Sequence, residues 1–294
     1  MTPSHQPCVP RPLVRPVIHT LLVVLTFLTM VTAGAIDAIN GSLRDLWHTP
    51  QLLSRGVPYA LALLGVLVAR EVGYLVAARS HGLAPALAYF IPAPTLFGTL
   101  GSLYVPRGGD RRALFDIAVS GALSGLVAAL ALALVGVAKS DPADAGQSAG
   151  GSIGTSIAFH WVIRVMRPEA TEGLSLHPLA FAGWTGLFVT AVGLIPVGQL
   201  DGGHILYGVF GSRQRVLSWM ALAALTVIGI FWHAHVWIIW PLMLVVLGVR
   251  HPEVAGEPLG AVRTVIACAM LVVLVATFPL VPVTFAHFWS AAPS

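Results

Sequence analysis

The chain has 294 residues, of which 56% are hydrophobic and 10% are charged, and its mean hydropathy is +0.84. Soluble proteins carry about 25% charged residues, so this composition excludes an ordinary soluble domain and indicates a membrane protein. The net charge of +4 comes from arginines scattered through loops, with no basic run that follows a nucleic-acid backbone, so nucleic-acid binding is not expected.

Seven apolar runs along the chain are long enough, or nearly so, to form membrane helices. A helix of about 20 apolar residues spans the hydrocarbon core of a bilayer. The fifth and sixth runs are short and closely joined, so the pattern predicts a polytopic α-helical membrane protein with six or seven transmembrane helices. The runs are 17–36, 57–78, 113–138, 176–196, 216–232, 236–249 and 261–283.

Two stretches between these runs differ from ordinary spans. Residues 83–106 are apolar but contain four prolines, so they cannot form one helix through lipid. They predict a membrane-embedded β-hairpin or small sheet that packs against other helices. Residues 139–175 begin rich in Ser, Gly, Ala and Asp and then become apolar, which predicts a flexible external loop leading into an interfacial helix.

Basic residues in the loops predict the orientation in the membrane. With a cytoplasmic N-terminus, ten arginines lie on the cytoplasmic side and five basic residues lie outside. The positive-inside rule requires such an excess in short loops, so we expect this orientation. The ten are Arg11, Arg15, Arg79, Arg107, Arg111, Arg112, Arg213, Arg215, Arg250 and Arg263, and the five are Arg44, Arg55, Lys139, Arg164 and Arg167.

Ionisable side chains occur at two places where lipid would otherwise surround the chain. Arg70 and Glu71 lie in the middle-to-inner part of the second run, where an ionised group costs about 2.5–3.5 kcal/mol without a partner. Asp201 follows Pro196 and precedes two glycines, so a helix is expected to break and present a carboxylate there. The plainer interpretations are an internal ion pair for the first place and a glycine-rich turn for the second.

Three segments follow one another in a specific order: Arg70-Glu71-Val72-Gly73-Tyr74, the small-residue segment 118–125, and Pro196-Val197-Gly198-Gln199-Leu200-Asp201-Gly202-Gly203. In this order they resemble the site-2 protease family of intramembrane zinc metalloproteases, over most of residues 60–210. In that family a helix carries H-E-x-x-H, a membrane-embedded sheet follows, and a later helix supplies an aspartate within an Asn-x-x-Pro…Leu-Asp-Gly segment.

The resemblance implies an organisation in three parts. Residues 1–56 are expected to form an N-terminal anchor helix and external loop, 57–210 the site-2 protease-like core, and 211–294 the C-terminal transmembrane helices. It also implies an integral protein of a bacterial-type plasma membrane. Its partners would be membrane lipid and the transmembrane segments of other proteins.

The resemblance also implies a zinc site, from which this chain departs. In the family, two histidines four residues apart bind zinc from one helix face, an adjacent glutamate acts as general base, and an aspartate is a third ligand. Glu71 keeps the position of the base and Asp201 that of the carboxylate ligand. Arg70 and Tyr74 stand at the two histidine positions, and Gly193 stands where the family has asparagine.

Zinc is therefore expected for the family but predicted to be absent or weakly bound here. Arginine offers no lone pair to a metal, and the phenol of tyrosine is a poor zinc ligand near neutral pH. His204 is the candidate replacement ligand, in the same cavity as Gly193 and Pro196. Other histidines are interpreted as loop or interfacial residues: His160, His177, His233, His235 and His251.

Arg70 is predicted to replace part of the metal's charge by pairing with Asp201, and in one version also with Glu71. Two carboxylates without a cation would repel each other in a low-dielectric cavity, and a guanidinium holds a carboxylate well. Tyr74 is expected to donate its hydroxyl to either acid. The competing interpretation is that Arg70 extends to the inner interface and leaves both acids hydrated.

Three functions remain open at this point. The first is a catalytically impaired or inactive homologue, a pseudoprotease, that binds transmembrane segments along the hairpin edge near residues 89–104. The second is an active intramembrane zinc metalloendopeptidase that cleaves membrane-anchored substrates through an atypical metal site. The third is a membrane carrier that uses Arg70, Glu71 and Asp201.

Overall fold

The computed structural model describes residues 16–39, 41–84, 86–94, 97–104, 108–142, 154–169, 174–234 and 236–282. Helices predominate among them, as the apolar runs predict. The helices are α1 (Pro16–Ile39), α2 (Leu43–His48), α3 (Val57–Ser80), α4 (Arg111–Ala138), α5 (Ile157–Met166), α6 (Pro178–Leu194), α7 (Asp201–Phe210), α8 (Gln214–Phe231), α9 (Val236–Leu247) and α10 (Ala261–Thr277). The strands are β1 (Tyr89–Pro92), β2 (Thr99–Leu103), β3 (Asp141–Pro142) and β4 (Leu174–Ser175).

Four helical stretches of the described chain are long and apolar enough to cross a membrane: Val17–Ile39, Pro50–Ser80, Arg111–Ala138 and Asp201–Phe231. The first three contain or nearly coincide with the first three apolar runs, and the fourth joins α7 to α8. The runs at 176–196, 236–249 and 261–283 form α6, α9 and α10, which have 17, 12 and 17 residues. Helix length therefore does not confirm a count of six or seven spans.

Helix α6 lies at the centre of the helical bundle, packed against α3 and α4. Fourteen of its 17 residues are buried, which explains why its sequence is apolar on every face. Small residues bring α4 and α6 close together, since a Cβ at Gly183 would lie 2.6 Å from the Cα of Ala133. Close packing of these helices forms the scaffold that holds the middle of α3 near the start of α7.

An antiparallel hairpin of β1 and β2 lies within the predicted segment 83–106, pairing Tyr89 with Leu103 and Phe90 with Ser102. Helix α1 packs along β1, and Thr29 Oγ1 donates a hydrogen bond of 2.6 Å to the carbonyl of Gly98 in the connecting turn. Gly98 has a φ of +75°, and a Cβ there would overlap the backbone of α1. Pro85 and Pro106, the other two prolines of this segment besides those at 92 and 94, lie outside the described residues.

The predicted interfacial helix corresponds to α5, which has one buried and one exposed face. Phe159 and Val162 are buried, whereas Ile157, Trp161 and Val165 are more than half exposed. A helix of ten residues is too short to cross a bilayer, and its interfacial position stays a prediction. Residues 143–153, which carry most of the predicted flexible loop, lie outside the described residues.

The chain is not helical between Leu194 and Asp201, so the predicted helix break is confirmed. Gly198 has a φ of +55° and packs against the carbonyl of Gly248. Gly202 and Gly203 face carbonyl oxygens of the preceding turn, where any Cβ would overlap them. These glycines let the chain turn tightly and begin α7 at Asp201, beside the middle of α3.

Candidate functional site

Arg70 and Tyr74 lie four residues apart in α3 and therefore project from the same helix face. This face packs against α4 at two glycines of the small-residue segment. A Cβ at Gly125 would lie 2.9 Å from Arg70 Cδ, and one at Gly121 would overlap the ring of Tyr74. The glycines thus provide the space in which two large side chains are buried, with exposed fractions of 2% and 1%.

Arg70 forms an ion pair with Asp201, the first residue of α7. The distance from Arg70 Nη2 to Asp201 Oδ2 is 2.6 Å, and the aspartate is 6% exposed. The predicted pairing is confirmed, and the interpretation that Arg70 extends to the interface is wrong, because the guanidinium is enclosed by protein. Nε and Nη1 of Arg70 have no protein partner in the described part of the chain.

Tyr74 completes the polar cluster. Its hydroxyl accepts a hydrogen bond of 2.9 Å from Arg70 Nη2 and donates toward the carboxylate of Asp201, whose oxygens lie at 2.9 and 2.8 Å. Asp201 is thus the acid that Tyr74 contacts, and both of its oxygens are engaged. The ring of Tyr74 stacks on Tyr104 with 4.7 Å between centroids, which connects the cluster to the end of the hairpin.

Gly193 borders the cluster from the α6 side. A Cβ at Gly193 would lie 3.0 Å from Arg70 Nη2 and 3.6 Å from Asp201 Oδ2, so a larger side chain would press on the guanidinium. Glycine at this position therefore accommodates Arg70. Pro196 lies in the turn before α7, where its carbonyl accepts a hydrogen bond of 2.8 Å from Ser218 Oγ of α8.

Glu71 has a different partner from its neighbour in sequence. Its Oε1 accepts a hydrogen bond of 3.0 Å from the backbone N–H of Ala88, immediately before β1. Pairing of Glu71 with Arg70 was one expected arrangement, and no ion pair of Glu71 occurs within the described residues. The prediction is wrong in that part, because the hairpin backbone supplies the closer donor.

His204 is joined to His251, which lies in the loop between α9 and α10. His204 Nδ1 is 2.7 Å from His251 Nε2, and the ring of His251 stacks on Tyr207 at 4.3 Å. His251 Nδ1 lies 2.6 Å from the carbonyl of Pro252, so Nδ1 donates there and Nε2 accepts from His204. Burial lowers the pKa of His251, although the bond to Pro252 opposes this change.

His251 is the contact that sequence reasoning missed. It was interpreted as a loop histidine, and it does lie in a loop, but that loop folds back onto α7. No local signal predicts the contact, since 47 residues separate the two histidines. Of the other candidates, Arg70, Tyr74, Asp201 and Gly193 come together, whereas His204 contacts the loop and Glu71 contacts the hairpin.

The residues present do not fit a zinc ion. A zinc site needs about three protein donors with free lone pairs. Here the carboxylate of Asp201 already accepts hydrogen bonds from Arg70 and Tyr74, and a guanidinium stands where a ligand is required. No group of three His, Cys, Asp or Glu side chains suited to a metal occurs within residues that the structure describes.

Fold and site together define a polytopic membrane protein whose protease-like positions are arranged around an ion pair. The sequence profile of peptidase family M50 matches residues 58–234, which is more than half of the chain. The chain therefore belongs to peptidase family M50, the site-2 protease family, as the motif order predicts. No solved structure matches the chain.

Curated relatives support the same family. The chain is 31% identical over 186 residues to the probable zinc metalloprotease EGY1 of Arabidopsis thaliana, covering 59% of this chain and 34% of that protein. It is 28% identical over 243 residues to EGY1 of Oryza sativa subsp. japonica, covering 72% and 42%. It is 26% identical over 203 residues to EGY2 of Arabidopsis thaliana, covering 67% and 36%. These relatives are named chloroplastic, and the chain spans less than half of their length.

Proposed function

We propose that this chain is a pseudoprotease of the site-2 protease family, which binds transmembrane segments of other proteins and does not hydrolyse them with zinc. One observation carries the proposal: Asp201, at the family's ligand position, is bound by Arg70 and Tyr74 from the two histidine positions. A dication at this place would face a permanent positive charge in a low-dielectric interior. The ion pair thus takes the structural part of the metal, joining α3 to α7, without its chemistry.

The hairpin of β1 and β2 is the proposed binding surface for such segments. Within the described residues this sheet has two strands, and a two-stranded sheet leaves one edge of each strand free of ladder hydrogen bonds. An unwound transmembrane segment would add a strand at one of these edges. The hairpin packs between α1 and α6, a position that fits the proposal that it lies within the membrane.

We further propose that the chain has six or seven spans in a bacterial-type plasma membrane, with the N-terminus in the cytoplasm. The shorter helices α6, α9 and α10 would supply the additional crossings, because α6 is enclosed by protein and α10 exposes many apolar side chains. Contacts of Arg111 with α7 and of Arg263 with α4 hold two of the predicted cytoplasmic arginines at one end of the bundle. External labelling of a single cysteine at residue 213 would contradict this orientation.

The second candidate is an active zinc metalloendopeptidase with an atypical site. It is favoured by the names of the relatives and by the presence of Glu71, whose Oε2 has no protein partner in the described chain. In this reading the ion pair opens before metal binds. The two candidates differ in whether a bound transmembrane segment is cut.

A crosslinking experiment in liposomes separates the candidates. The probe is a synthetic single-pass peptide with a helix-breaking Asn-Gly centre, and a photoreactive residue is placed at Leu103 of β2 or, as control, at the lipid-exposed Val272 of α10. We expect crosslinks at 103 and not at 272, with the peptide intact. Equal crosslinking at both places would contradict binding at the hairpin, and cleavage that a zinc chelator abolishes would establish the enzyme instead.

A further inference from the structure

Arg70 and Glu71 are adjacent in α3, yet their side chains serve different neighbours. Arg70 is bound to Asp201, whereas Glu71 Oε1 accepts the backbone N–H of Ala88 at 3.0 Å. Glu71 has 9% of its surface exposed, so this bond lies in the protein interior. The residue at the family's general-base position is therefore joined to the chain that enters β1.

The path of the chain after α3 explains how Ala88 reaches Glu71. Gly82 adopts a φ of +67°, and the N–H of Leu83 bonds to the carbonyl of Ala78 at 3.0 Å, so α3 ends in a reversal. The chain then runs back along the helix it has just left. Ala86 and Ala88 are buried in one cluster with Ala77, Ala78 and Tyr74 of α3.

A side-chain acceptor is needed at this place. The N–H of Ala88 is buried one residue before β1 begins, and a buried donor without an acceptor carries the full desolvation penalty. Glu71 lies three residues before Tyr74 in α3, and Ala88, which is buried in the same cluster as Tyr74, reaches it. Its carboxylate is thus the group that holds the start of β1 against α3, and through β1 the register of the hairpin.

We propose that Glu71 is a positioning residue for the hairpin and not a general base in this chain. The bond from Ala88 to Glu71 fixes where β1 starts, and so presents the strand edges in a constant place. The effect of this hydrogen bond on the binding of transmembrane segments rests on the proposed function. Its effect on the position of the hairpin does not.

The two roles of Glu71 respond differently to substitution. Glu71→Gln retains an oxygen acceptor of the same reach but cannot take up a proton as a general base does. Glu71→Ala removes the acceptor as well. An anchor therefore tolerates glutamine and fails with alanine, whereas a general base fails with both.

Hydrogen exchange at the Ala88 amide tests the anchor directly. The full chain is compared in detergent micelles as wild type, Glu71→Gln and Glu71→Ala, with the exposed Glu253→Ala as a matched control. We expect Glu71→Ala to accelerate exchange at Ala88 about ten-fold or more, since a bond to a charged acceptor is lost, and Glu71→Gln to leave it within about three-fold. Unchanged exchange in Glu71→Ala, or acceleration as large in Glu71→Gln, would overturn the proposal.

Two additions keep the test decisive. If Glu71→Ala does not fold, Glu71→Asp withdraws the acceptor by one methylene and should accelerate exchange at Ala88 in the same direction; no acceleration there refutes the anchor. Crosslinking of the Asn-Gly peptide at Leu103 is then measured in the same variants. Retention in Glu71→Gln with loss in Glu71→Ala supports positioning of the binding edge. If the Ala88 amide exchanges as expected but the peptide does not crosslink even in the wild type, the role of Glu71 in holding the hairpin stands and the proposed function is refuted.

Discussion

Two arginine–carboxylate clusters in this molecule have the same chemistry and very different surroundings. Arg70 and Asp201 are 2% and 6% exposed, whereas Arg263 and Asp116 are 33% and 28% exposed. The second pair has the more complete geometry, because Arg263 Nε and Nη2 reach both oxygens of Asp116 at 2.9 and 2.7 Å, and His81 adds a contact of 2.9 Å. Burial, rather than the number of hydrogen bonds, decides what either pair contributes to stability.

The largest expected effect belongs to the buried pair. Arg70→Ala should lower the free energy of unfolding by about 3–5 kcal/mol, because it leaves the carboxylate of Asp201 buried without a cation. Adding Asp201→Asn should restore much of this loss. Unfolding by SDS in mixed micelles measures all four members of the double-mutant cycle. Simple additivity of the two single effects would show that the pair is not coupled.

The next effect concerns the glycines that accommodate the cluster. Gly125→Ala should lower the free energy of unfolding by about 1–3 kcal/mol, since its Cβ would press on the stem of Arg70. In the background of Arg70→Ala with Asp201→Asn that stem is gone, so the same substitution should have little effect. Equal destabilisation in both backgrounds would mean that Gly125 is needed for helix packing alone. The same unfolding assay serves for this comparison.

The partly exposed pair of Arg263 and Asp116 provides the contrasting case. Arg263→Ala should lower the free energy of unfolding by only about 0.2–1 kcal/mol, because water screens the charges and Asp116 keeps His81 as a partner. The effect should also shrink as salt is added, unlike that of Arg70→Ala. A decrease in the free energy of unfolding as large as that of Arg70→Ala would show that burial does not distinguish the two pairs.

The smallest expected effect is a dependence on pH at the loop contact. The folded pKa of His251 lies below its unfolded value of about 6.5, since burial disfavours the imidazolium. Its contribution to stability is therefore complete above that value and declines as the pH falls below it. His251→Phe, which keeps a ring against Tyr207, should flatten the difference in unfolding free energy between neutral and mildly acidic buffers. An unchanged pH dependence in this variant would show that the imidazole of His251 does not contribute to it.

Sequence reasoning identified the parts of the cluster that chemistry constrains. Arg70 and Asp201 are charged residues in apolar segments, each needing a partner, and the order of motifs indicated that they are partners of each other. The break before Asp201 followed from Pro196 and its glycines. The hairpin followed from the four prolines and two glycines of residues 83–106, which are too many breaks for one continuous membrane helix.

The remaining contacts of the site join residues that are distant in sequence, and no local sequence pattern predicts them. Glu71 was a second possible partner of Arg70, but the chain reversal at Gly82 brings the Ala88 amide to it instead. Gly193 was interpreted as the loss of the family's asparagine, and in the structure this glycine leaves space for the guanidinium of Arg70. Hydropathy also cannot separate α6, which is apolar because protein surrounds it, from α10, which is apolar because its faces are exposed.

The zinc content of purified protein shows whether the Arg70–Asp201 pair replaces the metal of the family. Wild-type chain and the Arg70→His, Tyr74→His double variant are purified in metal-free buffers, incubated with zinc, dialysed and analysed for bound metal. We expect no stoichiometric zinc in the wild type, and about one zinc per chain in the double variant, where two histidines join Asp201 as ligands. If the double variant gains none, the loss extends past the ligand positions, and Gly193 is the next position to restore. About one tightly held zinc per wild-type chain would contradict this replacement, because the Arg70–Asp201 pair would then have to open for a metal that it is proposed to replace.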